Sequence, residues 1–159
     1  MIFFVFLHDY DTHRCESLVR FYDLHYPKYP NGTLYLQHAQ SCETWPDCTN
    51  PAAQVSALYR ITQGLVALPA SLVSPEQRNF FARIAKSLPR IPLTRASNGQ
   101  LQVSPCEGGF PHHHVNSENV ETYAIWPYEF FAVNRSGDEE EKFPLAIGKN
   151  TFENVHFGP

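Results

Sequence analysis

Ser74-Pro-Glu-Gln-Arg-Asn-Phe-Phe-Ala-Arg-Ile-Ala-Lys-Ser-Leu-Pro89 carries the clearest structural instruction in this chain. Ser74 is an N-cap residue, and Pro75 stands where a helix has no use for an N–H. Gln77 sits where its side chain can reach back and close a capping box. Phe80, Phe81, Ile84 and Leu88 then recur at helical spacing until Pro89 stops the run. An amphipathic helix needs other apolar faces to lie against, and the neighbouring segments offer them.

Upstream, Ala52 to Leu68 places Val55, Leu58, Tyr59, Leu65 and Val66 on one stripe, with Pro51 set for the first turn and Pro69 ending it. Further back, Asp11 to His25 puts Leu18, Phe21, Tyr22 and His25 at helix spacing, with Asp11 or Thr12 as a cap. Pro27 and Pro30 close that stretch, Asn31-Gly32 is a turn, and Thr33 to Gln37 alternates like a short strand. Downstream, Pro92 to Ser104 reads as a loop with a turn at Asn98-Gly99 and a short strand at Leu101-Gln-Val103. Two more helices are predicted. One runs from about Glu121 to Asn134, bent or begun at Pro127, and one follows Asp138, starting at Pro144 and running to Val155. About five helices, two weak strands and long decorated loops predict an all-α bundle or toroid.

Composition narrows the function classes. The chain has 159 residues, 43% hydrophobic and 18% charged, which suits a folded domain with a core rather than a disordered segment. A net charge of −4, with Lys and Arg scattered, offers no basic face to a nucleic-acid backbone. The aromatic fraction of 14% serves a core as readily as a sugar-binding cleft. The apolar start, Met1 to Leu7, lacks a basic flank and a cleavage site and is far short of the roughly 20 residues a bilayer needs. It reads as the end of a truncated core element, with a degraded signal segment as the alternative. Cys15, Cys42, Cys48 and Cys106 form no Cys-x-x-Cys pair, so a structural zinc site is not expected. Cys42 and Cys48 bracket a Pro-containing loop and are able to bridge in an oxidising compartment. Asn31-Gly-Thr33 and Asn134-Arg-Ser136 are glycosylation triplets compatible with secretion. There is no nucleotide-binding Gly-rich loop and no serine nucleophile elbow.

Two polar loop clusters hold the candidate chemistry. The first, Leu34 to Pro51, contains Gln40, Glu43, Trp45 and Asn50; the second, Cys106 to Tyr128, contains His112-His-His114, Asn116, Glu118, Glu121 and Trp126. Both combine carboxylates, amides and aromatic rings. Glycoside hydrolysis needs a protonated carboxyl at the glycosidic oxygen, a carboxylate to activate water or attack, and amides to hold hydroxyls.

The strings Gln40-Ser-Cys-Glu43-Thr-Trp and Thr49-Asn-Pro-Ala-Ala-Gln-Val-Ser-Ala-Leu58 resemble a segment of glycoside hydrolase family 95 and its relatives. These are the inverting α-L-fucosidase and α-L-galactosidase group of the six-hairpin glycosidases. The later string His112-His-His-Val-Asn-Ser-Glu-Asn-Val-Glu-Thr-Tyr-Ala-Ile-Trp-Pro-Tyr128 is similar to that family's His-rich stretch, and the resemblance covers about Tyr22 to Asn134.

The resemblance implies an incomplete (α/α)6 toroid with short β-hairpin loops, residues 1–159 being part of a catalytic domain. A closed toroid of twelve helices needs about 216 residues at roughly 12 per helix and 6 per loop, more than this chain has. It also implies Glu43 as general acid, with the base, an aspartate, beyond this region. The two would lie roughly 6.5–9.5 Å apart, as inversion requires. Gln40, Trp45, Asn50, His114, Asn116, Glu118, Glu121 and Trp126 are the expected sugar-binding residues. The expected partners are a carbohydrate and the remainder of the same polypeptide, with no cofactor, metal, nucleic acid or membrane.

Each residue also has a plainer reading. Glu43 can cap the helix after Pro51 or pair with an arginine. His112 to His114 can be a metal loop, can hydrogen-bond sugar hydroxyls or can face solvent. Glu118 and Glu121 can favour a helix start through its dipole. Trp45 and Trp126 either stack on a sugar or pack between helices. Asp138-Glu-Glu-Glu141 is a solvated helix start or a calcium site. The class-level alternative to hydrolysis is a carbohydrate-binding or degenerate fragment without the catalytic base.

Overall fold

The computed structural model describes residues 9–42, 45–108, 118–133, 135 and 137–154. Met1 to Leu7, Glu43, His112 to His114, Asn116 and the second glycosylation triplet's Asn134 and Ser136 lie outside the described residues, as does Val155. The chain divides into two compact units, Met1–Tyr35 with Leu58–Leu88, and Leu36–Ala57 with Pro89–Pro159.

The first unit is helical. It holds α1 (Asp9–His25), the part of α2 (Ala52–Ala67) from Leu58 onward, and α3 (Pro75–Ser87). The capping box forms as the sequence predicts: Gln77 N–H donates to Ser74 Oγ at 3.1 Å and Ser74 N–H donates to Gln77 Oε1 at 2.9 Å. Phe81 and Ile84 are fully buried, and Leu58 and Leu65 of α2 and Val19 of α1 join them in the core. The stripe expected on α1 does not face that core. Leu18 is 42% exposed and Phe21 51%, and the Phe21 ring stacks on His25 along the helix surface.

Charge-assisted bonds fasten the helices. Arg83 Nη2 donates to Asp23 Oδ2 at 2.8 Å and Gln77 Nε2 donates to Glu16 Oε2 at 2.8 Å, tying α3 to α1. The Arg78 guanidinium donates to the carbonyls of Val66 and Leu68, backbone acceptors that the end of α2 leaves without helical partners.

The second unit is built differently, from two small antiparallel hairpins and short helices. Strands β1 (Ala39–Ser41) and β2 (Trp45–Cys48) pair Ala39 with Cys48 and Ser41 with Trp45, with a bulge between. Strands β3 (Leu93–Arg95) and β4 (Leu101–Val103) pair in regular register from Leu93 opposite Val103 to Arg95 opposite Leu101. Their turn is the predicted Asn98-Gly99: Gly99 takes φ +80°, and Gln100 N–H donates to Asn98 Oδ1 at 2.9 Å.

Among the described residues a 3-10 turn, η1 (Val120–Ala124), and two helices, α4 (Asp138–Lys142) and α5 (Leu145–Asn154), make up the rest of the unit. Helix α5 lies against β4 and η1. Asn150 Nδ2 donates to the Leu101 carbonyl at 2.9 Å, and Thr151 Oγ1 accepts from Val103 N–H at 2.8 Å. A side chain on Gly148 would put its Cβ 2.1 Å from the Phe131 carbonyl oxygen, so only glycine permits this approach.

The fold class is therefore mixed α/β with two small antiparallel sheets, which overturns the expected all-α toroid. Residues 39–48 and 93–103 close on themselves as hairpins where a toroid needs long helical hairpins. The helix expected from Glu121 to Asn134 shrinks to η1. Pro127 brings no N–H to a helical ladder, and Glu129 and Phe131 take φ of +54° and +56°, which no α-helix accommodates. The strand expected over Thr33 to Gln37 is reduced to one bridge, Leu34 opposite Lys28.

Candidate functional site

The candidate site lies wholly in the second unit and is assembled on Asn50. This residue is 2% exposed with φ +46°, a left-handed conformation that asparagine tolerates better than most side chains. Leu36 N–H donates to its Oδ1 at 3.0 Å, while its own N–H donates to the Leu36 carbonyl at 2.9 Å. Its Nδ2 donates to Glu107 Oε2 at 2.5 Å. Next to it, Thr49 bridges Glu107 through a 2.8 Å bond from Glu107 N–H to the Thr49 carbonyl. The turn before α2 is thereby sewn to residues 104–108. Ala52 N–H, at the helix start, donates to the Pro105 carbonyl at 2.9 Å.

An open concavity of about 220 Å³ lies over this seam, lined by Trp45, Asp47, Cys48, Cys106 and Glu107 among others. At its edge Asp47 Oδ1 is 2.6 Å from His38 Nδ1, an exposed pair that holds two residues with positive φ together. Trp45 is 8% exposed and packs with Cys48, Cys106 and Val120 of η1. Cys42 hydrogen-bonds the Tyr123 phenol and lies close to that of Tyr128. Tyr123 is hydrogen-bonded to Glu118, and that carboxylate, with burial and Cys42, pushes the phenol well above its usual range. Burial raises Tyr128, with Cys42 adding to it.

The predicted residues thus separate by place. Trp45 is packed in the core of this unit, and Asn50 has its amide engaged at both ends. Glu121 is buried at 9% exposure on η1, so its carboxylate faces the interior rather than a bulk-solvent groove. Gln40 is exposed on β1, its carbonyl accepting from Gln54 Nε2 at 3.0 Å. Glu118 is half-buried beside Tyr123, and Trp126 is 71% exposed two residues after the end of η1. Glu43, His114 and Asn116 lie outside the described residues. The structure does bring the two polar clusters together, since Cys42 and Trp45, on either side of the Glu43 loop, both contact the segment from Val120 to Tyr128.

None of the four cysteines is in a disulfide, and the bridge open to Cys42 and Cys48 by their spacing is not formed. The thiol beside Cys48 is that of Cys106, to which it is hydrogen-bonded. Sequence spacing held no hint of this pairing, because the two residues are far apart in the chain and meet through their packing with Trp45 and Val120. Among the described residues no group of three or more His, Cys, Asp or Glu side chains is placed to hold a metal ion. No helix among them is long and apolar enough to cross a membrane. No family model, curated protein or solved structure matches the chain.

Proposed function

We propose that the second unit binds carbohydrate and that Glu43 serves there as a proton donor in glycoside hydrolysis. The observation that carries this reading is the meeting of the Glu43 loop's two flanks with the segment bearing Glu118, Tyr123 and Trp126. The flanks of the Glu43 loop thereby adjoin a segment that carries a carboxylate–phenol pair and an exposed indole. An indole face stacks on the C–H face of a sugar ring, and carboxylates and phenols hold its hydroxyls. A protonated carboxyl beside such a surface can deliver its proton to the glycosidic oxygen. The resemblance to glycoside hydrolase family 95 supports the role of Glu43 and makes α-L-fucosides and α-L-galactosides the first substrates to try.

The test has two arms. Tryptophan fluorescence is followed while fucose- and galactose-containing oligosaccharides are titrated in. Saturable change that disappears in Trp126→Ala supports the binding surface, and no saturable change with any of them removes it. Hydrolysis of alkyl glycosides, which need acid assistance, should fall by about 10²–10⁴ in Glu43→Gln, with aryl glycosides bearing good leaving groups far less affected. Binding without hydrolysis in the unaltered chain would leave a carbohydrate-binding module and take Glu43 out of the chemistry.

A further inference from the structure

The second unit holds a pair of thiols that the carbohydrate reading does not use. Cys48 and Cys106 are 3% and 5% exposed, packed in one cluster with Trp45 and Val120. Their sulfurs share a hydrogen bond, and both residues line the 220 Å³ concavity. The chain around them is held in place: Thr49 follows Cys48, Glu107 follows Cys106, and those two form an antiparallel backbone bridge that the cysteines flank diagonally. What brings the two side chains together is their shared packing with Trp45 and Val120.

We propose that Cys48 and Cys106 are a redox dithiol that closes to an intramolecular disulfide by exchange with a low-molecular-weight disulfide of the glutathione type, entering through the concavity. The exchange can begin at either sulfur, and from Cys106 it runs in two steps. The hydrogen bond from Cys48 holds the Cys106 thiol below the usual thiol range, against the effect of burial, and the Thr49 backbone adds to it. The same interaction pushes Cys48 up, because the second proton must leave beside a charge already formed. In the first step the Cys106 thiolate forms a bond to one sulfur of the oxidant, whose S–S bond breaks and releases one small thiolate. In the second, Cys48 loses its proton, attacks the Cys106 sulfur and expels the other small thiolate. Two protein thiols are oxidised, one small disulfide is reduced to two thiols, and the two protons go with them.

Cys42 is the rival partner, since it packs against the same cluster at its margin. Its contacts instead run to the phenols of Tyr123 and Tyr128.

The test exposes the folded chain to oxidised glutathione, quenches with acid, unfolds it and alkylates the remaining thiols. Mass spectrometry should show two alkylated cysteines instead of four, no retained glutathione, and the return of all four after reduction. Tryptic peptides ending at Arg60 and Arg135 should be joined by a disulfide, and should remain joined in Cys42→Ser. In Cys48→Ser the joined species should vanish and a glutathione adduct should persist on Cys106. If a variant fails to fold, fragmentation of the joined peptides of the unaltered chain decides by itself, since the alkyl group must sit on Cys42 and not on Cys48. Four alkylated cysteines after oxidation, a bond involving Cys42, or stable glutathione adducts on the unaltered chain would each overturn the proposal.

Discussion

The two units solve the same problem, satisfying a buried backbone, by opposite means. In the first, long helices pair their own N–H and C=O groups except at ends served by Arg78 and the Ser74–Gln77 box, so most side chains are left to fill volume: Val19, Leu58, Leu65, Phe81 and Ile84 are all buried. In the second, strands of three or four residues pair few backbone groups, and side chains supply the missing partners. Asn50 serves Leu36, Asn150 serves Leu101, and Thr151 serves both Val103 and Ile147. Left-handed backbone follows the same division. Among the described residues every non-glycine with positive φ (His38, Cys42, Asp47, Asn50, Glu129 and Phe131) belongs to the second unit. Four of these fall between His38 and Asn50, around the Glu43 loop, and such conformations gather where a segment is held for a task rather than for its own stability. The first unit depends on how much space a side chain fills, the second on which side chain it is.

Substitutions can break that contrast. The largest loss is expected for Phe81→Ala, which leaves a cavity in the first unit and should cost about 3–5 kcal/mol. Phe81→Leu should recover most of it, because volume is what matters there. Asn50→Ala should cost about 2–4 kcal/mol, through a buried N–H at Leu36 left unbonded and a left-handed alanine. Here Asn50→Leu should not recover anything. Urea denaturation of all four variants measures the contrast, and a recovery in Asn50→Leu as complete as that in Phe81→Leu would abolish it.

Gly148→Ala is the next test. Alanine in an exposed helix gains about 1 kcal/mol over glycine. At this position the Phe131 carbonyl stands in the way, so the sign should invert to a loss of about 1–3 kcal/mol. A stabilised variant, read as a higher denaturation midpoint, would show that α5 approaches Phe131 less closely.

The smallest effect sharpens the first unit's side. Arg83, and then Lys28, hold the Asp23 carboxyl below the usual carboxylate range, against burial. Its folded value is therefore lower than its unfolded one. The stability it adds is complete above the unfolded value, near about 4, and is lost as pH falls through the folded value. Asp23→Asn should cost about 1–2 kcal/mol at neutral pH and progressively less in acid. Urea midpoints at pH 7 and pH 3 check this, and an equal deficit at both would remove Asp23 from the acid limb.

What could be read from the sequence follows the same line. Helix α3 was legible because its signals are local: Ser74, Pro75 and Gln77 at one end and Pro89 at the other. The start of α2 after Pro51 and the β4 strand beyond Asn98-Gly99 were local in the same sense. The all-α class failed because the second unit is set by contacts between distant residues. Nothing in Gln40 to Cys48 alternates like a strand, and the β1–β2 hairpin leans on the bonds from Asn50 to Leu36 and Glu107. The stripe at Leu18, Phe21, Tyr22 and His25 obeyed helical spacing, yet all but the half-buried Tyr22 are exposed, since periodicity identifies a helix but not which face its neighbours cover. At the candidate site, the residue types of the two polar clusters were legible in the sequence. The burial of Glu121 and the thiol pair were not, because both depend on a seam between positions far apart in the chain.

That seam has a consequence for how the chain is made. Asn50 and Thr49 emerge from a ribosome long before Glu107, and the stretch synthesised between them includes Leu58–Leu88, which belongs to the other unit. At about 5–20 residues per second, the wait is on the order of 3–12 s. During that interval the earlier half of the Thr49–Glu107 bridge has no counterpart, and Trp45 and Cys48 have neither Cys106 nor Val120 to pack against. A nascent chain halted before Cys106 should therefore fold its first unit's helices while leaving residues 36–57 open to protease.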